Sequence, residues 1–448
     1  MKQTYFNHVI KIIMLLITGS LILLLSSTYS MACDVAVVSA SASSNGRPFI
    51  WKNRSDSTDW RQEVKFYKSK NQDAGGSVRV IAKMVTITIP SGGVNESGFA
   101  IANTLVYEDS QIKNILNSNT PLIRIALEEC TTLEDFENIL DHWHERPLIT
   151  SRILSGNFVV IDAFGGAALY EILSINGFGH AIFYEKFDAN EATDEEGNFI
   201  GFVNRTNTNQ FMTNGETGDE DRLESAYNIM LDMQQNNRLN YRNMMQELAK
   251  DVCGDEEKDD CEFSTESCIS RAVVNLALVV DGVATGMDAR LCTLWITLGE
   301  PSIGVSTPFF AYAKKIPFYA WADTLLFNCI PVDLTHSCLL NLAIVQKELD
   351  LYSNNGFAFI TSDLSINYCK LLELQKWTIP IEDYIIEKTE DFLSDMEVDP
   401  SLITKKNLFE FSHYCAKFNF LNYTHRTINY FNWEYNKPWG EEWNRDER

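Results

Sequence analysis

Apolar and polar residues alternate with a period of two in a series of short runs over the first two thirds of the chain. These runs are residues 34–43, 49–53, 78–89, 98–105, 157–163, 167–173 and 272–280. Successive side chains of a strand point to opposite faces, so each run predicts a β-strand with one face turned to a core. Between them, residues 120–126, 133–142 and 221–248 space their apolar positions as helices do. Strands, then helices, then strands is an α+β order rather than the strict alternation of a doubly wound sheet. From Phe310 the pattern changes: residues 339–351 and 381–393 have helical spacing. The end is crowded with Phe418, Phe420, Tyr423, Tyr430, Phe431, Trp433, Tyr435, Trp439 and Trp443. We read residues 33–310 as one domain and 311–448 as a helical, aromatic-rich extension whose rings pack into a core.

The first 32 residues follow another pattern. Lys2 and Lys11 lie in a weakly basic start, residues 12–25 are an apolar run, and Ser30-Met31-Ala32 ends the segment. The run is shorter than the roughly 20 residues a membrane-spanning helix needs. It fits the core of a secretory signal, with small residues at −3 and −1 of a cleavage site after Ala32. The expected product is secreted or periplasmic, without a stable membrane span after processing. A lipid anchor on Cys33 is the less favoured alternative, because Ser30 and Met31 fit a lipoprotein signal poorly. A catalytically silent binding protein is the other.

Composition narrows the partners. Of 448 residues 45% are hydrophobic, enough for a large core, and the formal charge is −24. A surface that acidic argues against nucleic acid or an anionic membrane as partner. Ten cysteines stand at 33, 130, 253, 261, 268, 292, 329, 338, 369 and 415. An exported chain permits disulfides, and the cluster at 253, 261 and 268 predicts a local one. There is no Gly-x-Ser-x-Gly, P-loop, dinucleotide fingerprint or HExxH. His142 and His144 are two residues apart, on different faces if helical, and read as structural.

Removing residues 1–32 makes Cys33 the first residue, and an N-terminal cysteine combines a strong nucleophile with an amine of pKa about 8 that can act as its base. The following residues predict a hairpin that would hold it: alternating 34–40, a turn signal at Ser44-Asn45-Gly46, and a return from Pro48. A turn centred on Asn45-Gly46 makes cross-strand partners sum to about 91, with Asp56 opposite residue 35 and Arg54 opposite residue 37. The return strand would thus deliver charged groups to the nucleophile's end.

Residues 33–39 (CDVAVVS), 45–54 (NGRPFIWKNR), 95–103 (NESGFAIAN), 156–171 (GNFVVIDAFGGAALYE), 205–207 (RTN) ahead of Asp221-Arg222, 270–274 (SRAVV) and 294–301 (LWITLGEP) occur in that order. Together they resemble the N-terminal-nucleophile hydrolases related to penicillin V acylase and bile salt hydrolase, nearest the acyl-coenzyme A:6-aminopenicillanic acid acyltransferase branch. The resemblance implies an αββα four-layer sandwich that cleaves a linear amide or transfers its acyl group, with no metal or organic cofactor. It implies Cys33 as nucleophile, Asp56 as the acid that positions its amine, Asn207 in the oxyanion hole, Arg271 near the nucleophile and Asn103 as a further polar contact. Where the family reads Asn-Arg-Asp, this chain has Asn53-Arg54-Ser55-Asp56, one residue longer. Arg54 or Lys52 would then stand for the arginine that bile salt hydrolases carry here. The implied partner is a small amide or acyl substrate; whether copies associate as a homo-oligomer is left open.

Overall fold

The computed structural model describes residues 33–55, 61–69, 73–84, 87–106, 119–146, 155–174, 182–208, 220–252, 262–265, 267–271, 274–317, 320, 360–362 and 365–432. Two antiparallel sheets carry the architecture. The seven-stranded sheet is a meander of β3 (Arg61–Tyr67), β4 (Ser77–Met84), β5 (Ile87–Asn95), β6 (Ala100–Leu105), β7 (Ser155–Ile161), β8 (Ala167–Ser174) and β9 (Ile182–Asp188) in that order. The six-stranded sheet runs β10 (Phe202–Arg205), β1 (Cys33–Val38), β2 (Phe49–Ser55), β12 (Val274–Asp281), β13 (Thr293–Leu298) and β14 (Thr307–Phe310). Strands β1 and β2 pack across β6, β7 and β8, so the sheets lie face to face.

Helices cover both outer faces, which completes an α+β sandwich of four layers. On the seven-stranded sheet sit α1 (Asn119–Glu129) and α2 (Leu133–Asp141), burying Leu122, Phe136 and Leu140 against Phe99, Phe158 and Tyr170. Phe136 meets Tyr170 edge-on at 5.1 Å between centroids, the favoured geometry for two ring quadrupoles. Thr132 caps α2 and Asp135 returns the bond, which explains why the helix starts at Leu133. On the six-stranded sheet lie α3 (Glu220–Gln235), a short helical piece at Tyr241–Asn243 and Met244–Leu248, and the long α4 (Tyr368–Val398) and α5 (Lys405–Asn432). The helix expected over 221–248 is thus broken. Asn237 takes φ 53°, a left-handed conformation that asparagine tolerates, and Asn240 caps the next piece.

The C-terminal helices are tied by hydrogen bonds to residues 305–307 as well as laid on the six-stranded sheet. Asn419 of α5 donates to the Val305 carbonyl and to Thr307 Oγ1, and Glu382 of α4 accepts from the Ser306 amide and pairs with Lys250 at 3.0 Å. A third, three-stranded sheet pairs β11 (Glu262–Ser264) with β16 (Ser365–Asn367), itself paired to β15 (Ile360–Ser362). Cys268 is disulfide-bonded, and so is Cys369. Of the aromatic tail, Phe418 stacks on Tyr384 and lies beside Tyr414, as core packing requires. Residues 339–351 and the aromatics from Trp433 onward lie outside the described residues.

Several motif residues serve turns rather than chemistry. Asn95 Oδ1 accepts from the amides of Ser97 and Phe99, while its Nδ2 donates to the carbonyls of Leu127 and Cys130. Asp162 accepts from the amides of Leu133, Phe164 and Gly166, and so fixes the β7–β8 turn against the start of α2. Gly165 in that turn has φ +96°, which a side chain would disfavour.

Two motif blocks also meet in a buried carboxyl site. Ser270 Oγ donates to Glu300 Oε1 at 2.5 Å and Ser302 Oγ donates to Oε2. Burial, opposed by these bonds and by Lys250, pushes the Glu300 carboxyl up to about 7. The unfolded chain therefore loses this proton first as pH rises. Stability should fall between about pH 4.5 and 7 by up to roughly 3 kcal/mol and then level off. Glu300→Gln keeps the shape and removes the titration. Urea unfolding at pH 5 and 8 should show the drop shrinking in the variant; an equal drop in both proteins would assign the slope elsewhere.

Candidate active site

Cys33 opens β1 at the end of the sandwich, 6% exposed. Its neighbours on both sides follow from register. β1 pairs β2 with Cys33 opposite Arg54, Asp34 opposite Asn53 and Val35 opposite Lys52. β1 pairs β10 with Val35 opposite Arg205, and the same register continued by two residues sets Asn207 beside Cys33. The Cys33 backbone nitrogen donates to Asn207 Oδ1, and Asn207 Nδ2 donates to the Leu105 carbonyl at 2.6 Å. One asparagine side chain thus joins the first residue of β1 to the facing sheet.

The observed register corrects the expected one. Partners sum to 87 instead of 91, so Arg54 faces Cys33 and not Val37, and Lys52 stands opposite Val35 where Asp56 was expected. The cause is the turn, which is not a two-residue one at Asn45-Gly46. The Ala42 and Ser43 amides both donate to the Ser39 carbonyl, the Gly46 amide donates to that of Ser43, and Asn45 Oδ1 accepts from the Arg47 amide. These bonds build a longer connection centred nearer Ser43. A shift of four preserves the alternation, so Arg54 stays on the expected face and moves closer to the thiol. Directly opposed residues share a face with Cα atoms about 4.5–5.5 Å apart. Asp56 itself lies outside the described residues.

The face that carries Cys33, Val35, Arg54 and Lys52 looks into the space between the sheets. Lys52 Nζ crosses that space to the Ser91 carbonyl at 3.2 Å and to Asn103 Oδ1 at 3.3 Å. Asn103 is therefore brought to the site through Lys52. The opposite face of β1 and β2 looks toward the helices: Asp34 pairs with Arg222 of α3 at 3.2 Å, and Asn53 Nδ2 donates to the Ala249 and Ile269 carbonyls. Arg271 reaches the end of β2, where its Nη2 donates to Ser55 Oγ at 2.9 Å. Cys33, Arg54 and Asn207 form the inner group, Lys52 and Asn103 stand beside it, and Arg271 is held at the end of β2 by Ser55, a residue of the opposite face.

The chain also places residues here that its sequence did not single out by role. Arg205, buried beneath Phe187, is held by Glu171 of β8 at 2.5 Å. Thr104 Oγ1 donates to the Thr206 carbonyl at 2.8 Å. Arg205-Thr206 and Glu171 were visible as motif letters, but the contacts join residues far apart in the chain. Beside β10 lies a cavity of about 1190 Å³ that shares Asn204 and Arg205 with the strand leading to Asn207. Its lining mixes Ile200, Val203, Leu223 and Tyr227 with Glu191, Asp194, Glu195, Glu196 and Glu224. Burial first, and then the nearby Asp194, Glu196 and Glu195 carboxylates, raise the Tyr227 phenol.

Among the described residues there is no group of three or more ligating side chains that would hold a metal, and no helix is long and apolar enough to cross a membrane.

Comparison with solved structures finds weak overall likeness. An N-acylethanolamine-hydrolyzing acid amidase ortholog of Caenorhabditis elegans is 12% identical, covers 56% of this chain and 92% of its own, with TM-score 0.35. Penicillin V acylase of Agrobacterium tumefaciens is 14% identical, with 62% and 85% covered and TM-score 0.30. A conjugated bile acid hydrolase of Clostridium perfringens is 12% identical, with 60% and 89% covered and TM-score 0.29. No curated protein matches the chain. Residues 86–265 match the family described as acyl-coenzyme A:6-aminopenicillanic acid acyl-transferase, the family that the motifs resemble.

Proposed function

We propose that this chain is an exported amidase or acyltransferase that acts through an N-terminal Cys33 and a Cys33 thioester. The observation that carries the reading is the bond from the Cys33 nitrogen to Asn207 Oδ1, with Arg54 directly across the strand. In the uncleaved chain that nitrogen is a peptide N–H without a usable lone pair. Cleavage after Ala32 turns it into a primary amine. Asn207 Oδ1 then accepts one of its N–H bonds, which makes the nitrogen more basic and turns its lone pair elsewhere, free to take the thiol proton. Sulfur attacks the amide carbon, the C–N bond breaks as the amine returns the proton to the leaving nitrogen, and water or an acceptor amine resolves the thioester.

Negative charge on the tetrahedral intermediate needs donors in a dry setting, where they are worth most. Arg54, 7% exposed, supplies a positive charge on the same face as the sulfur. Asn207 Nδ2 is bonded to the Leu105 carbonyl, so the oxyanion role requires that amide to exchange this partner for substrate oxygen. Carboxylates lining the adjacent cavity disfavour an anionic substrate portion there. Amides whose portion entering that cavity is neutral or cationic are accordingly the first substrates to offer.

Intact mass of the purified secreted chain, before and after an electrophilic amide mimic, tests the reading. The expected species begins at unmodified Cys33 and gains one adduct that Cys33→Ala does not. A diacylglyceryl increment on Cys33, or retention of residues 1–32, would overturn it.

A further inference from the structure

Asn157 lies in the middle of β7, fully buried, in a stretch whose neighbours Phe158, Val159 and Val160 are apolar core. A buried amide in such a row costs stability unless it is hydrogen-bonded. Its register explains what it does. Asn157 is directly opposite Thr104 of β6 on one side and Glu171 of β8 on the other, so the three side chains share one face. Glu171 bonds Arg205 of the facing sheet, which identifies that face as the one turned inward.

From there Asn157 Nδ2 donates to the Thr206 carbonyl at 3.0 Å, the Thr208 carbonyl at 2.8 Å and Thr104 Oγ1 at 3.2 Å. Thr104 Oγ1 in turn donates to the same Thr206 carbonyl. The residues before and after Asn207 are therefore held through their backbone oxygens, and the residue before those is held by Glu171 through Arg205. With its backbone held on both sides, the Asn207 side chain reaches the Cys33 nitrogen through Oδ1 and the Leu105 carbonyl through Nδ2.

We propose that Asn157 is a positioning residue: it fixes the 206–208 backbone so that Asn207 meets the Cys33 nitrogen, and it acts on the reaction only through Asn207. The inference rests on the N-terminal-nucleophile reading. It differs from that reading in assigning the site's geometry to a side chain one strand removed, which touches neither the nucleophile nor the substrate. Thr104 shares the task with a single hydroxyl.

A double-mutant cycle on the processed protein tests it, with amide turnover and the rate of adduct formation at Cys33 as readouts. Asn157→Ala should lower kcat by about 10- to 100-fold with KM changed less than about twofold, short of the full loss of an oxyanion-type donor. In an Asn207→Ala background the same change should lower adduct formation by less than about twofold, because residues acting through one another are not additive. Equal losses in both backgrounds would make Asn157 a general structural residue and overturn the proposal, as would unchanged kcat. If Asn157→Ala fails to fold, Thr104→Val decides: it should lower kcat by about 3- to 10-fold, again only where Asn207 is present. Should Cys33→Ser retain full activity in the same assay, the catalytic reading fails first, a result distinct from additivity in the cycle.

Discussion

Amide turnover by the processed chain is expected to fall by about 10³-fold or more in Cys33→Ser, with the fold intact. A thiol proton can move to an amine of pKa about 8 with little cost, whereas a serine hydroxyl is a much weaker acid and a weaker nucleophile, so the same base activates it at a higher cost in a site fitted to sulfur. Among the described residues around Cys33 there is no histidine to compensate, since neither the facing strand nor residues 205–208 carry one. Substitution should spare stability because the side chains differ by one atom and the backbone bonds of Cys33 to β2 and Asn207 are untouched. Circular dichroism and thermal unfolding establish the second half, and kcat/KM on a responsive amide the first. Activity within tenfold of the parent would show that Cys33 is not the nucleophile. The same chemistry predicts an inactive precursor, because a peptide nitrogen cannot accept the proton; a chain whose cleavage is blocked should be as silent as Cys33→Ser.

What the chain alone disclosed follows the range of the forces involved. The β1–β2 hairpin was legible because alternation over a few residues determines which side chains face the core, and Cys33, Lys52 and Arg54 fall on the face expected. Its register was not, because it depends on how Ser39, Ser43 and Asn45 bond within the connection rather than on the Asn-Gly pair. The helix over 221–248 reads as continuous until Asn237 turns left-handed. Asn207 could be named from its motif, yet the groups that hold it come from β6, β7 and β8 across the interior. Asn157 and Glu171 looked like polar letters in strand motifs, and only the packing of one sheet on the other gives them tasks. Arg222 shows the same limit: nothing near Asp221-Arg222 in sequence indicates that it would be buried against Asp34, immediately after Cys33.

Asn207→Ala is expected to lower kcat by about 10²- to 10³-fold, the scale found when a single preorganised donor is removed. The pH dependence should then tell which of its two atoms matters. Oδ1 accepts from the Cys33 nitrogen, and an acceptor on an amine's N–H favours the protonated form. If that contact survives cleavage, its loss lowers the amine pKa, and the acidic limb of the kcat/KM profile should move to lower pH. If Nδ2 serves only the oxyanion, the loss should be the same at every pH and the profile should drop without moving. The structure favours the first outcome, because Nδ2 is bonded to the Leu105 carbonyl while Oδ1 already holds the nitrogen. Asn207→Asp adds a check: a carboxylate keeps the acceptor for the amine, loses the donor, and sets a negative charge beside the sulfur and Arg54. A profile shifted upward with turnover still depressed would mean that both atoms of Asn207 act, one on the base and one on the oxyanion. A variant with parent-like kcat in either substitution would remove Asn207 from the chemistry and leave it as the tie between β1 and the facing sheet.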